Sequence, residues 1–313
     1  MFNINFMKYK NLFLSISISL IILTAGLLMF KPLNLGIDFT GGSILQCKMD
    51  KKAPLKEIRK ELKKHNITAS VVKFETDKEF LIKVGLNKTT LNVNEIFNLL
   101  KKEYPSLELR RTEHIGAKVG NELAEKGTIA LLLTILIILI YVSLRFEWRF
   151  AVASSIALLH DVFITLGLII LLNVNLNLEI LAALLTILGY SINDTIVVFD
   201  RIRENLEQMK IKDLDELINK SINETLTRTL LTSLTTLFVV LSVFLFGGDM
   251  VSGLSITLLI GITIGTYSSI FIASPLLKIL NFNISEWNKK IQEKNKLKAE
   301  REKQRAMYEN GIV

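Results

Sequence analysis

Most ionisable residues in this chain sit among other polar residues, but a few sit inside long apolar runs. Asp194 lies in Leu188-Gly189-Tyr190-Ser191-Ile192-Asn193-Asp194-Thr195-Ile196-Val197-Val198-Phe199-Asp200. His160 and Asp161 fall midway along another run, and Arg228 opens a third. An aspartate near the centre of a membrane span costs about 2.5–3.5 kcal/mol on insertion scales, and such residues face a bundle interior or a water-filled cavity, often on an ion or proton path. A carboxyl carries a proton when burial favours its neutral form and a nearby cation restores the charged one. Arg228, which does not deprotonate, is the natural cation for Asp194 at comparable depth. Asn193 and Thr195 flank the carboxyl, and Thr186, Tyr190, Asn193, Asp194 and Val197 share one face of a helix. The plain alternative for Asp194 is a structural polar anchor, and for Arg228 an interfacial topology determinant. For His160 and Asp161 a proton relay and a structural hydrogen-bond cluster stay open together. Two membrane aspartates could also suggest an aspartyl protease, but neither lies in a Gly-x-Gly-Asp context.

The elements that must position these residues follow from hydropathy. Half of the 313 residues are hydrophobic, with a mean hydropathy of +0.40, and they gather into runs. About 20 apolar residues cross a bilayer core as a helix. Six stretches qualify: Leu12–Phe30, Thr128–Leu144, Phe150–Leu172, Leu178–Phe199, Leu226–Phe246 and Leu254–Ile279. The first lacks a small-residue cleavage site at its end and reads as a retained anchor. The expected organisation is a cytoplasmic N-terminus with helix 1 over 1–30, an extracytoplasmic domain over 31–127, a five-helix block over 128–280 and a charged cytoplasmic tail over 281–313.

Between the first two runs, strands at Ser43–Met49, Ala69–Phe74, Glu79–Val84 and Leu107–Thr112 alternate with amphipathic helices at Leu55–His65 and Val93–Tyr104. The order β-α-β-β-α-β predicts a small ferredoxin-like α+β domain. In the last run Gly253, Thr257, Gly261, Gly265, Ser269 and Ala273 recur every four residues, a stripe that admits a close neighbouring helix or a sliding surface. Thr225, Thr229, Thr232, Ser233 and Thr236 line half of the fifth run. The tail beyond Ser285 carries little apolar surface other than Trp287 and Ile291 and reads as a solvated helix or a disordered segment.

The formal charge of +8 does not indicate nucleic acid. Lys8, Lys10, Arg145, Arg149, Arg201, Arg203, Lys210, Lys212 and Lys220 fall on one side of the runs, whereas the short loops Asn173–Asn177 and Gly247–Val251 hold no Lys or Arg. That is the positive-inside bias, with both termini cytoplasmic. One cysteine, Cys47, excludes an internal disulfide and a cysteine-based metal cluster. No phosphate-binding glycine motif appears, so work would draw on an ion gradient or a partner; no cofactor beyond protons, and no enzymatic chemistry, is expected.

Leu35-Gly36-Ile37-Asp38-Phe39-Thr40-Gly41-Gly42 resembles the G-[IL]-D-F-x-G-G signature of the SecD/SecF family, and the segment Gly189–Asn205 is similar to that family's fourth-helix motif. Arg145-Phe146-Glu147-Trp148 and His160-Asp161 also match its pattern. The resemblance runs from about Leu12 to Leu280. It implies the following: half of a transporter of the RND superfamily in the inner membrane, pairing with SecD; association with the SecYEG channel, with YajC and YidC as further candidates; and use of the proton motive force to draw preproteins across after SecA-driven steps. It makes Asp194 the proton-pathway carboxylate and Arg228 its coupled cation. It places Gly36, Asp38, Gly41 and Gly42 in the signature after helix 1, where Asp38 is first of all structural. An RND-type small-molecule efflux half-transporter and a passive scaffold of the translocon are the competing readings.

Overall fold

The computed structural model describes residues 3–31, 33–86, 92–208 and 213–309; Lys210, Lys212 and the last four residues of the expected tail lie outside them. Six described helices are long and apolar enough to cross a membrane. They are α1 (Lys10–Phe30, extended by a 3-10 turn at Met7–Tyr9), α5 (Ala117–Arg145), α6 (Trp148–Leu171), α7 (Leu178–Gln208), α8 (Leu214–Phe246) and a last span. That span is α9 (Asp249–Ser268), a π-helical turn at Ser269–Ala273 and α10 (Ser274–Ile279). Pro275 stands at the start of α10, where its missing N–H breaks the ladder and accommodates the wider turn.

Several helices outrun the expected spans. α5 begins at Ala117, so the boundary expected at residue 127 falls inside one continuous helix. α7 continues past Phe199 to Gln208, and α8 starts at Leu214 rather than Leu226. Hydropathy marks only the part of a helix that tolerates lipid; the backbone ladder continues into polar sequence until a breaker or loop stops it. Asp194 therefore sits well inside α7, as many residues from Gln208 as Arg228 is from Leu214.

α6, α7 and the last span form the centre of the bundle, with half or more of their apolar windows covered (61%, 50% and 50%), whereas α1, α5 and α8 are 11% covered and lie outside. The end of the core where α5 ends and α6 begins is aromatic. Phe150 packs edge-on against Phe199 at 5.0 Å and Phe282 at 5.2 Å, and Trp287 closes over Phe150 at 6.2 Å. This docks the first turn of the tail helix, α11 (Ile284–Glu309).

Between α1 and α5, after the one-turn α2 (Ile37–Thr40), stands a four-stranded sheet. β1 is Gly42–Lys48, β2 Ala69–Phe74, β3 Glu79–Gly85 and β4 Glu108–Ile115, in the order β2-β3-β1-β4, and every pairing is antiparallel. α3 (Leu55–Lys64) and α4 (Val93–Glu103) link the strands, α4 starting at an Asn92/Glu95 capping box. The alternation of β1 turns Leu45 and Cys47 inward against Ile58, Leu62, Phe80, Ile82, Ile96 and Leu107. Each such burial contributes about 1.5–3 kcal/mol. Burial also pushes the Cys47 thiol up to about 12.

Candidate functional site

Asp194 is 1% exposed. The helical face that buries it carries Ile187, Ser191, Thr195 and Val198, one position away from the strip expected: Thr186 and Asn193 turn outward and are exposed. The 3.6-residue period locates a stripe but not which edge of it meets the neighbouring helices. The carboxylate accepts a hydrogen bond from Ser233 Oγ on α8 at 3.3 Å, and Ser233 shares a 2.7 Å bond with Thr266 Oγ1 on α9. Asp194 thus stands at the junction of three helices. Arg228 is exposed. It lies near enough to act electrostatically on the Asp194 carboxyl, but among the described residues no carboxylate comes within the 4.0 Å of an ion pair with it. The ion pair that the sequence suggests is open here, and a hydroxyl occupies the carboxylate.

Asp161 is wholly buried and saturated. His160 Nδ1 lies 2.9 Å from its Oδ1, and Oδ2 accepts from Ser191 Oγ of α7 at 2.5 Å and from Ser268 Oγ of α9 at 2.7 Å. Through these three bonds Asp161 ties α6, α7 and α9 together. The His160 ring stacks on Tyr267 at 6.2 Å, and Tyr267 donates to the Phe13 carbonyl of α1 at 2.8 Å. His160 Nε2 and Tyr190 Oη are buried without a hydrogen-bond partner among the described residues.

The small-residue stripe faces α7. A Cβ on Gly261 would stand 2.0 Å from Ile187 Cδ1, and one on Gly265 would stand 2.9 Å from Ser191 Cβ. One on Gly253 would meet Ile180 and Val174 at an ordinary 3.5 Å. Ser269 opens the π turn and donates its hydroxyl to the Thr266 carbonyl at 3.0 Å. The stripe therefore brings α9 close enough for Thr266 and Ser268 to reach both carboxylate sites.

The glycine-rich segment lies at the other end of α7. Gly36 N donates to the Leu176 carbonyl at 2.7 Å, and Leu176 N to the Asn34 carbonyl at 2.7 Å. Asp38 Oδ2 accepts from Leu178 N, the first amide of α7, at 3.0 Å. Gly41 has φ +73°, and a Cβ there would press on Leu86 and Ala117; on Gly42 it would strike the Val84 carbonyl at 2.4 Å. Both positions exclude a side chain, the first also by conformation.

Comparison with known proteins supplies the family. The family described as "Protein export membrane protein SecD/SecF, C-terminal" matches residues 95–283, and "SecD/SecF GG Motif" matches residues 26–53. A protein translocase subunit SecF of Helicobacter pylori is 44% identical over 316 residues, which is 99% of this chain and 97% of that protein. The SecF subunit of Vibrio alginolyticus is 41% identical over 87% of this chain and 88% of its own length. This chain belongs to the SecD/SecF family. A crystal structure of SecDF from Thermus thermophilus, described as a translocon-associated membrane protein, superposes with a TM-score of 0.77 at 36% identity. The superposition covers 89% of this chain and 39% of that one, so the present chain spans about two fifths of the SecDF polypeptide. The matched SecD/SecF segments contain both membrane carboxylates and the glycine-rich signature.

Four hydroxyls that meet the two buried carboxylates are not singled out by sequence as carboxylate donors: Ser191, Ser233, Thr266 and Ser268. Serine and threonine are common in membrane helices, where they bond back to their own turn, as Thr266 also does to the Ile262 carbonyl at 2.9 Å. Ser191 lies in the fourth-helix motif and Ser233 in the hydroxyl-rich half of α8, so each carries a partial signal.

Proposed function

We propose that this chain is the SecF half of a heteromeric export motor, in which Asp194 gains and loses the coupling proton. The observation that carries this reading is a nearly fully buried carboxylate at the junction of three helices, held by hydroxyls and within electrostatic range of a cation that it does not touch. A proton descending about 100 mV supplies about 2.3 kcal/mol. That energy becomes directed movement only if two conformations bind the proton differently. On this reading the present arrangement is one of them, and closure of Arg228 onto ionised Asp194 is the other. Thr195 lies beside Asp194 on the buried face of α7, whereas Asn193 turns away from it.

The relatives named as SecF, and the SecDF structure, support SecD as the partner and an inner-membrane, multi-pass location. The charge asymmetry of the short loops supports cytoplasmic termini, and the strand order β2-β3-β1-β4 supports a ferredoxin-like outer domain. A role beside the SecYEG channel, acting on preproteins, follows from the same family reading, as do YajC and YidC as further partners and the absence of any enzymatic step or bound cofactor. A second reading makes His160 and Asp161 part of the proton path; the unpartnered Nε2 of His160 favours it.

Export into inverted vesicles, measured with and without a proton gradient, tests the proposal. Wild-type export rises with the gradient, and Asp194→Asn runs at the gradient-free rate while still assembling with SecD. Undiminished gradient dependence in that variant overturns the motor role. Hypersensitivity to small toxic compounds on depletion, with normal precursor processing, favours the efflux reading instead.

A further inference from the structure

We propose that Asp38 is a positioning residue that couples the outer domain to the movement of α7, the helix carrying Asp194. This rests on the motor reading above and names the path by which it would act on the outer domain.

The first amides of a helix have no partner within it, and a carboxylate there is favoured by the helix dipole. α7 already has a local answer: Asn177 Oδ1 accepts from Ile180 N at 2.9 Å. That cap serves Ile180 N, whereas Leu178 N takes its partner from outside the helix. What the bond to Asp38 adds is a link between two segments 140 residues apart in sequence. Two backbone bonds reinforce it on either side of Leu176, and a Cβ on Gly36 would stand 3.0 Å from Asn177 Cβ, so a larger residue there would push the two segments apart. From Asp38 the chain turns through Gly41 and Gly42 straight into β1, the central strand of the sheet with β3. A shift of Leu178 is thus delivered to the middle of the domain rather than to a loose linker.

A second attachment joins the same domain to α9. Lys73 N, on the edge strand β2, donates to Asp249 Oδ2 in the first turn of α9 at 3.3 Å. α7 and α9 are the two helices closed on each other by Gly261 and Gly265, and they carry Asp194 and Thr266. Between the two attachments the domain does not lie flat on the bundle. A polar cleft of about 590 Å³ separates them, bordered by Arg59, Ser70, Lys83, Asn173 and Glu179. Besides its packing on α5, where a Cβ on Gly120 would strike Phe39 and Gly41, the domain meets the bundle at these two points, each at the outer end of a helix whose interior meets the buried carboxylate. About 24 Å of continuous helix connects Leu178 to Asp194, at 1.5 Å per residue, and a rod of that length passes a tilt or slide to its end.

The test uses the full chain reconstituted with its partner in liposomes and two pairs of spin labels. One pair joins Glu179, in the first turn of α7, to Leu245 at the outer end of α8; the other joins Lys60 on α3 to Leu245. All three positions are exposed, and the native Cys47 is fully buried and does not compete for label. Distances are measured at pH 5 and pH 8. In wild type both pairs shift with pH, and in Asp194→Asn neither does. In Asp38→Ala the Glu179 pair shifts as in wild type while the shift of the Lys60 pair is lost or at least halved. Asp38→Asn, which keeps an oxygen acceptor for Leu178 N, retains both shifts and controls for folding. A wild-type Lys60 shift in Asp38→Ala overturns the coupling, as does a wild type in which only the Glu179 pair moves; in both cases the role of Asp194 survives. A wild type in which neither pair responds overturns the role of Asp194 in this movement and the coupling with it.

Discussion

Asp161 and Asp194 are the same residue type on adjacent helices of one bundle, and both are buried, yet they are held in opposite ways. Asp161 accepts from a histidine and two serines on three helices. Asp194 accepts one 3.3 Å bond from a serine that is itself shared with Thr266. A buried charge needs donors or a counter-ion. When the donors saturate it, the charge becomes glue; when they do not, a change of protonation has room to rearrange its surroundings. The difference lies in the neighbouring groups, a histidine and two serines against one shared serine, not in the aspartates.

The sharpest way to break this comparison is to neutralise each carboxylate in turn. Asp194→Asn should remove the gradient-dependent part of export with little loss of folded protein. Asp161→Asn should lower the yield and thermal midpoint of the detergent-solubilised protein, because removing one partner of a buried charged cluster costs about 3–5 kcal/mol, while the molecules that fold keep gradient-dependent export. If the two phenotypes exchange, the assignment is wrong. Next in size is the helix contact that brings α9 to both sites. Gly261→Ala forces Ile187 aside and should destabilise by about 1–3 kcal/mol, whereas Gly253→Ala, in ordinary contact, should be close to neutral; thermal midpoints of the pair decide it. Ser268→Ala removes one of three donors from Asp161 and should cost about 1 kcal/mol, without altering the gradient dependence of transport.

The smallest effect belongs to the solvated charges of the sheet domain, where water competes for every pair. Lys73, by hydrogen bonding, and then Lys52 hold the Asp77 carboxyl below its ordinary range. A carboxyl lowered in the folded state contributes stability above its unfolded value, near 3.8, and loses it as the pH falls through the lower folded one. Acidification below pH 4 should therefore weaken the β2–β3 turn slightly more in wild type than in Asp77→Asn, measured as the thermal midpoint across that range. Exposed pairs of this kind are worth little, in contrast to the membrane clusters.

The expensive residues were legible because an aspartate, histidine or arginine in an apolar run announces itself by its cost. Asp38 was legible only as part of a glycine-rich signature; its bond to Leu178 depends on the fold returning the chain to the same membrane face 140 residues later. The face of α7 was misjudged by one position, since periodicity defines a stripe whose partner is set by the helices around it. Thr266 and Ser268 gave no signal, because a hydroxyl in a membrane helix reads the same whether it bonds its own turn or a carboxylate across an interface.

Six apolar runs, the strand and helix alternation between the first two, and the positions of the buried charges were set by local composition and periodicity, which act over one helix or one strand. Whether Asp161 is saturated, whether Asp194 touches Arg228, and which end of α7 the signature grips were decided by contacts between segments distant in the chain. Those contacts exist only where small residues let α9 approach α7 and where Asp38 meets the start of α7, and neither closeness is written in any single stretch of sequence.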